Sequence, residues 1–287
     1  MLTILFDGIA YGMLLFVLAV GLAVTMGLMN FINLAHGAFA MAGGYITVLL
    51  MQRLDVPFLL SLPAAFIGAA LLCAVLERTL YRPLYNKPHL EQVLFSIGLV
   101  FMSVAAVDYY VGSTQQIMQL PEWLKGRTEI GSLGMGHYRL FIIAVCAALT
   151  IGLQFILAKT RFGSRLRASV DDQRVAAGMG INVNMVFLTT FAFGSGLAGL
   201  GGALGAEVLG LDPSFPLKFM IYFLIVVAVG GTSSITGPLL AALLLGIADV
   251  AGKYYVPQLG AFIVYALMIV ILLWKPNGLF VRQGGKA

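Results

Sequence analysis

Long apolar runs separated by short polar loops are the main pattern of this chain. No Asp, Glu, Lys or Arg occurs between Asp7 and Arg53, and about 20 apolar residues suffice to cross the hydrocarbon of a bilayer. We therefore predict two membrane spans in this stretch and one in each of five later apolar runs. The predicted spans are Ile9–Met29, Leu34–Met51, Phe58–Leu76, Gln92–Val111, Leu140–Ala158, Met185–Ala206 and Tyr254–Trp274.

One further apolar region, Phe219–Ala248, is interrupted. It contains the sequence Gly230-Gly231-Thr232-Ser233-Ser234 and then Gly237-Pro238, which a regular helix accommodates poorly. We predict two short helices around a break. If both helices are re-entrant the chain crosses seven times, and if both cross the membrane it crosses nine times. Both numbers are odd, so either arrangement leaves the two termini on opposite sides of the membrane.

Composition strengthens the membrane assignment. Hydrophobic residues make up 60% of the 287 residues and charged residues only 10%, which excludes a water-soluble globule. The predicted fold class is therefore an all-α polytopic integral membrane protein. Cys73 and Cys146 lie within apolar runs, so neither a disulfide framework nor a metal site is expected. The phosphate-binding pattern GxxxxGK[ST] is absent, so we expect a chain that is not an enzyme and binds no ATP or other cofactor itself.

Lysine and arginine are distributed unequally between alternate loops. Because basic residues are retained on the cytoplasmic face, we predict that the N-terminus is outside and the C-terminus cytoplasmic. The predicted inner residues are Arg78, Arg82, Lys87, Lys159, Arg161, Arg165, Arg167, Arg174, Lys275, Arg282 and Lys286, and the predicted outer residues are Arg53, Lys125, Arg127, Arg139, Lys218 and Lys253. Predicted interfacial aromatic residues are Tyr81, Tyr85, Tyr109, Tyr110, Tyr254, Tyr255 and Trp274.

The loop 159–184 is too polar to cross a membrane and has the pattern of a cytoplasmic helix. Ser164 is the expected N-cap, and Gly178 or Gly180 the expected left-handed end. The expected apolar stripe is Leu166, Val170 and Ala177, with Arg165, Arg167, Asp171, Asp172 and Arg174 on the other faces. From this pattern alone, insertion into a groove of a partner protein and a position at the lipid headgroups are equally good interpretations.

Ionisable side chains are missing from the predicted span centres. Asp108, Glu207 and Asp249 lie near span ends, and Asp249 precedes Lys253 by four residues, which predicts a local ion pair. A carrier driven by an ion gradient needs charged groups deep in the membrane, and His36 is the only intramembrane candidate. Glycines crowd the sixth span and predict close helix packing, at positions Gly194, Gly196, Gly199, Gly201, Gly202 and Gly205.

Three polar residues recur every third position after the first span. Asn30, Asn33 and His36 would share one helical face if the second helix began at Asn30. They could line a translocation path, because an unpaired amide in hydrocarbon costs about 1–3 kcal/mol. Alternatively, the two asparagines cap the first turn, His36 bonds a neighbouring backbone group and Gly37 permits close packing. The break at Gly230–Pro238 has the same two interpretations, a lining of the path or a packing kink.

Four segments in order resemble the permease subunits of branched-chain amino acid ABC importers. The first runs from Gly27 through Asn30, Asn33 and His36 to Tyr45, and the third is the broken-helix sequence from Gly230 to Pro238. The second lies in loop 159–184 and is matched by Gly163, Arg165, Arg167, Ala168, Asp171, Asp172, Ala176, Gly180 and Ile181. The last is Lys275-Pro276-Asn277-Gly278-Leu279-Phe280, so the resemblance covers roughly Asp7 to Phe280.

The resemblance implies a type II-like ABC importer permease with about eight membrane segments, one of them broken or re-entrant. Residues 1–287 would form one transmembrane permease domain in the inner membrane of a prokaryote. Its implied partners are a second homologous permease, two cytoplasmic ATPases that use the ATP, and a periplasmic or extracellular binding protein. The segment Ser164–Gly180 would then couple to an ATPase, with Gly163, Ser164, Arg165, Arg167, Ala168, Asp171, Asp172, Ala176 and Gly180 as candidate coupling residues.

Two alternative functions remain open at the level of sequence. One is an importer of urea or short amides with the same machinery, and the other is a self-contained channel or secondary carrier. Candidate residues of the translocation path are the same for each importer, namely Asn30, Asn33, His36, Gly230, Gly231, Thr232, Ser233 and Ser234. A nucleic-acid partner is not expected, because the basic residues lie in short loops between spans.

Overall fold

The computed structural model describes residues 1–29, 31–85, 87–130, 133–231, 234–275 and 278–279. Within these ranges the chain is almost entirely helical, as predicted, with one small antiparallel hairpin in the loop before the fifth helix. The helices are α1 Leu2–Met29, α2 His36–Leu54, α3 Phe58–Leu76, α4 His89–Val111, α5 His137–Lys159, α6 Arg161–Asp171, α7 Gln173–Gly178, α8 Val183–Leu209, α9 Phe215–Gly230, α10 Thr236–Tyr255 and α11 Gly260–Trp274. Strands β1 Arg127–Ile130 and β2 Leu133–Gly136 pair with Arg127 opposite Gly136.

Six of the described helices are long and apolar enough to cross a membrane, namely α1, α3, α4, α5, α8 and α10. The chain is therefore a polytopic membrane protein. The third span has the predicted bounds, whereas α1 begins seven residues before the predicted Ile9. The helix α2 is not one of the six; it begins at His36, two residues after the predicted Leu34, and includes the polar Arg53. The number of crossings stays a prediction.

The predicted break before Pro238 is present. Helix α9 ends at Gly230, Gly231 adopts a φ of +79°, and α10 begins at Thr236. The prediction of two short helices is half correct, because α9 has 16 residues but α10 has 20.

The predicted last span, Tyr254–Trp274, has the wrong start. Tyr254 and Tyr255 end α10, and α11 begins at Gly260. The reason is Pro257, which lacks a backbone N–H and disfavours helical geometry at Val256, where φ is −136° and ψ is 70°. A 3₁₀ turn over Pro257–Leu259 reverses the chain between the two helices.

Helix α8 packs against α1, α2 and α3, and α1 in turn packs against α10, α5 and α9. The glycines of α8 permit its packing, as predicted. A Cβ atom on Gly202 would overlap the backbone of Ala40 in α2, and one on Gly43 would overlap the backbone of Gly199. Lipid is as apolar as leucine, so helices in a membrane associate through close contact of small residues.

The bundle has two distinct ends, because α5 runs from the hairpin to the loop helices α6 and α7. We call these the hairpin end and the loop-helix end. The start of α1 lies at the hairpin end, where Gly134 N–H donates to Thr3 Oγ1 over 3.2 Å. The end of α1 lies at the other, where Met29 packs against the cluster of Leu166, Val186 and Phe187.

The chain order carries the two predicted groups of basic residues to opposite ends of the bundle. Arg282 and Lys286 lie outside the described residues. Among the predicted interfacial aromatic residues, Tyr109, Tyr110, Tyr254, Tyr255 and Trp274 are exposed on the protein surface. Tyr81 is not, because it is fully buried.

Candidate functional site

Loop 159–184 folds into two helices rather than one. Thr160, not Ser164, caps α6 by accepting the Gly163 N–H, while Ser164 lies inside the helix and donates to the Arg161 carbonyl over 3.0 Å. The chain extends at Asp172, where φ is −152°, and the Asp172 carboxylate accepts the N–H groups of Arg174 and Val175. Asp172 is therefore the N-cap of α7. After α7, Gly180 takes a φ of +82°, consistent with the predicted left-handed end.

The break at Asp172 changes which face is buried. Leu166 is fully buried and Val170 half-buried as predicted, but Ala177 is exposed and Ala176 is buried instead. The stripe was wrong at its third position because the extended residue shifts the helical phase. Of the remaining candidate coupling residues, Gly163 is buried, Ala168 is half-buried, and Ser164, Arg165, Arg167, Asp171, Asp172 and Gly180 are exposed.

Two contacts fasten α6 to the membrane helices. Arg167 Nη1 donates to the Leu157 carbonyl near the end of α5 over 2.6 Å. Gly163 lies so close to Leu157 that a Cβ atom would overlap its backbone. On its buried face, Leu166 packs against Val186 and Phe187 at the start of α8. These contacts connect α6 to both α5 and α8.

The exposed face of α7 carries a feature that the sequence pattern did not single out. Val175 and Met179 are 58% and 67% exposed and lie four residues apart, so they share one side of the chain at this short helix. Both are large apolar side chains beside exposed arginine and aspartate residues. Helix α7 is too short for an apolar periodicity to identify these two residues from the sequence.

The candidates near α2 are both buried. Asn33 lies before the helix, so the prediction that it shares a helical face with His36 is wrong, and Asn30 lies outside the described residues. Asn33 Oδ1 accepts the Ala35 N–H and the Tyr81 hydroxyl, each over 3.1 Å. His36 Nε2 donates to the Leu18 carbonyl over 2.9 Å, and the imidazole meets the Phe223 ring edge-on. These contacts fit the capping and packing interpretation.

The break after α9 brings backbone segments into close contact. A Cβ on Gly230 would overlap Pro238, and Leu279 N–H donates to the Val229 carbonyl over 2.8 Å. Ser234 is exposed, and its Oγ accepts the Gly237 N–H at the start of α10. Thr232 and Ser233 lie outside the described residues. Helix α9 links this break to His36, because Phe223 is seven residues, or about 10 Å of helix, before Gly230.

An aromatic cluster holds the non-helical segment that precedes α2. The Phe31 ring meets the rings of Tyr81, Tyr85 and Phe191 edge-on at centroid distances of 5.5–5.7 Å. Beneath it, the buried Glu77 accepts the Tyr85 hydroxyl over 2.7 Å. Glu77 begins a π-helical turn that ends at Tyr81, a distortion that directs both residues inward. The position of Tyr81 at a span end predicted an interfacial side chain, but contacts with other helices bury it.

Ion pairs collect at the hairpin end. The predicted pair between Asp249 and Lys253 is present at 2.5 Å, and Asp249 is almost completely buried. Arg139 pairs with Asp7, and Lys218 pairs with Asp212. Burial raises the pKa of Asp212, but hydrogen bonds from Lys218 and Ser214 outweigh burial, so the pKa lies below its ordinary value.

These features define a polytopic helical membrane protein with a break between α9 and α10 and two short loop helices, of which α6 is fastened to two spans. The chain matches the family described as branched-chain amino acid transport system, permease component, over residues 4–272. It belongs to this family. No solved structure matches the chain.

Curated relatives cover almost the whole chain. The high-affinity branched-chain amino acid transport system permease protein LivH of Salmonella typhimurium is 28% identical over 97% of this chain and 94% of its own length. The corresponding permease protein BraD of Pseudomonas aeruginosa is 28% identical over 97% and 95%. A probable branched-chain amino acid transport permease protein LivH of Methanocaldococcus jannaschii is 29% identical over 96% and 91%.

Proposed function

We propose that this chain is the transmembrane permease subunit of an ATP-driven importer of branched-chain and similar hydrophobic amino acids. The observation that carries the proposal is family membership over residues 4–272. The relatives are named for branched-chain amino acid transport in two bacteria and one archaeon, which favours this substrate class over urea or short amides. The chain forms the path and hydrolyses no ATP itself.

In this proposal, α6 and α7 couple ATP hydrolysis to movement of the spans. The charged residues Arg165 and Asp171 and the apolar pair Val175 and Met179 are exposed, so they are accessible to a cytoplasmic ATPase subunit. Arg167 connects the same helix to α5 through the Leu157 carbonyl. Closure of two ATPase subunits would push α6 and shift α5 and α8 with it.

The remaining assembly follows from the same proposal. A second permease completes the path, two cytoplasmic ATPases supply the energy, and a periplasmic or extracellular protein delivers the amino acid. The N-terminus is outside and the C-terminus cytoplasmic, which puts α6 and α7 on the ATPase side. The sequence candidates for the path, Asn30, Asn33, His36 and the residues from Gly230 to Ser234, belong to the same proposal, in which the buried Asn33 and His36 support the path by capping and packing rather than by lining it.

Uptake by reconstituted vesicles tests the proposed class. Vesicles that contain this chain with its permease, ATPase and binding-protein partners should accumulate radiolabelled leucine only when ATP is present. Vesicles that contain the chain alone should accumulate none. Gradient-driven uptake by the chain alone would identify a secondary carrier instead.

Two substitutions in α6 separate docking from transmission. Arg165→Glu should abolish both uptake and stimulation of ATP hydrolysis by the binding protein, because it reverses a charge at the docking surface. Arg167→Ala should retain stimulated ATP hydrolysis but lose most uptake, because α6 is released from the Leu157 carbonyl. Arg53→Gln, at an exposed site on the hairpin end, is the control and should change neither. Normal uptake by both α6 variants would contradict the coupling role.

A further inference from the structure

A cavity of about 470 Å³ opens at the hairpin end between five helices. Its volume lies within the range of about 300–1,000 Å³ that is typical of small-molecule sites. Helices α1, α5, α8, α9 and α10 all contribute, so the cavity is enclosed by elements far apart in the chain. Its lining combines apolar side chains with five charged residues, Asp7, Arg139, Lys218, Asp249 and Lys253.

Charges of both signs face this cavity in nearly equal number. Asp7 and Asp249 supply carboxylates, while Arg139, Lys218 and Lys253 supply cations, of which Lys218 is also paired with Asp212. Ionisable residues in membrane proteins face the bundle interior or a water-filled cavity, because their exposure to lipid is costly. These charges pair with one another, Arg139 with Asp7, Lys218 with Asp212 and Lys253 with Asp249, so the site has no excess of either sign. A ligand must therefore use the donor and acceptor atoms that the pairs leave open.

Asp249 is the residue that points most directly to a ligand. It is 1% exposed, and its Oδ2 atom pairs with Lys253, but its Oδ1 atom is buried without a hydrogen-bond partner among the described residues. An unsatisfied buried carboxylate oxygen is costly unless a donor reaches it. The ammonium group of a ligand in the cavity would supply that donor.

Two cations of the lining, Lys218 in α9 and Arg139 in α5, can contact the carboxylate of such a ligand. Lys218 has three N–H donors and Arg139 has five, whereas the pairs with Asp212 and Asp7 engage only part of each set. Their remaining donors suit a carboxylate. Leu14, Ile142 and Phe219 line the same space and suit an aliphatic side chain.

We infer that this cavity binds the free zwitterion of an aliphatic amino acid. The Asp249 carboxylate accepts a hydrogen bond from the ammonium group of the ligand, and Lys218 and Arg139 donate hydrogen bonds to its carboxylate. The inference rests on the proposed function for the choice of ligand class. It adds a defined site at the outer mouth of the chain, separate from the candidates around Asn33 and the α9 break. Delivery from a binding protein would place the amino acid here before it enters the bundle.

Ligand analogues test the inference on the unmodified protein. The full chain in lipid nanodiscs is titrated with leucine, with 4-methylpentanoate, which lacks the amine, and with 3-methylbutylamine, which lacks the carboxylate. Saturation-transfer NMR should show leucine binding about tenfold more tightly than either analogue, because each analogue leaves one set of charges unpaired. Equal binding of all three ligands, or no binding of leucine, would overturn the inference.

A substitution then assigns the ammonium contact. Asp249→Asn should weaken leucine binding about tenfold and leave 4-methylpentanoate binding unchanged, because that analogue has no ammonium group to lose. Asp108→Asn, at an exposed position outside the cavity, should leave all three affinities unchanged. An equal loss for leucine and 4-methylpentanoate would show that Asp249 acts only on structure.

A second variant covers the case in which Asp249→Asn does not fold. Lys218→Met should weaken leucine binding and leave 3-methylbutylamine binding unchanged. The outcomes also separate this inference from the proposed function. If the assembled importer takes up leucine but the nanodisc protein binds none, only the site is wrong. If the site selects leucine but the assembled complex moves none, only the transport proposal is wrong.

Discussion

Helices α8 and α4 are both long and apolar, but they have different surroundings. More than half of the α8 apolar window is buried within the chain, 56%, against 17% for α4. The residues of α8 that face α1, α2 and α3 are mostly glycine and alanine, whereas α4 presents Leu90, Leu94, Phe101 and Met102 outward. The contrast shows that hydrophobicity places a helix in the membrane but does not determine how much of it is buried within the chain. In α8 the close contacts are made by small side chains, whereas the still more buried α1 contributes large ones such as Leu14 and Phe16.

The largest expected effect tests this contrast with one kind of substitution. Gly202→Ala should destabilise the protein by about 3 kcal/mol, because the new Cβ overlaps the Ala40 backbone and rigid backbone cannot move aside. Gly98→Ala in α4 meets open space and should be neutral or stabilising by up to about 1 kcal/mol. Thermal unfolding in detergent measures both variants. Equal melting temperatures would remove the distinction between the two helices.

A second pair of variants compares a buried histidine at the start of α2 with an exposed histidine at the start of α4. His36→Ala should cost about 2 kcal/mol, since it removes the bond to the Leu18 carbonyl and leaves space beside Phe223. His89→Ala, at the exposed start of α4, should have little effect. The same unfolding measurement distinguishes them. A stable His36→Ala protein that has also lost uptake would instead favour a direct role of His36 in the path.

A smaller and local effect is expected in the loop helices. Asp172→Ala removes the two hydrogen bonds that begin α7 and should cost about 1 kcal/mol of local stability. Hydrogen exchange should therefore accelerate in residues 173–178 while exchange in α8 is unchanged. Asp171→Ala, the neighbouring substitution, caps no helix and serves as the control. Faster exchange throughout the bundle would show that α7 is part of the core.

The smallest effect concerns pH at the hairpin end. The pKa of Asp212 is lowered in the folded chain, so its contribution to stability is present above its unfolded pKa and is lost as pH falls through the folded pKa. The protection factors of residues 210–218, which correct for the slower intrinsic exchange at low pH, should decrease as the pH is lowered through the carboxyl range. Asp212→Asn should abolish this dependence, and Asp108→Asn should retain it. An unchanged pH dependence in Asp212→Asn would assign the effect to another carboxylate.

The sequence predicted the candidate regions better than their local geometry. Loop 159–184 is helical as predicted, but Thr160 rather than Ser164 caps its first helix, and the loop breaks at Asp172. Both Thr160 and Ser164 have a side-chain oxygen that can cap a helix, so the sequence alone did not distinguish them. Each predicted span is helical over most of its length, because bilayer thickness sets the length of apolar run that a span requires, but the number of crossings stays a prediction. The interfacial role predicted for Tyr81 was wrong because burial depends on neighbours from other helices.

The amino-acid sequence by itself determined the membrane class, the family, the main helices and the position of the break, because each depends on local hydrophobicity or on a short run of residues. Only the tertiary structure decided that α8 packs against α1, α2 and α3 and that five helices bring Asp7, Arg139, Lys218, Asp249 and Lys253 to one cavity. Helices that are apolar on every side carry no stripe to identify their partners. In lipid, the partner of each helix is determined by how closely the shapes of the two helix surfaces fit.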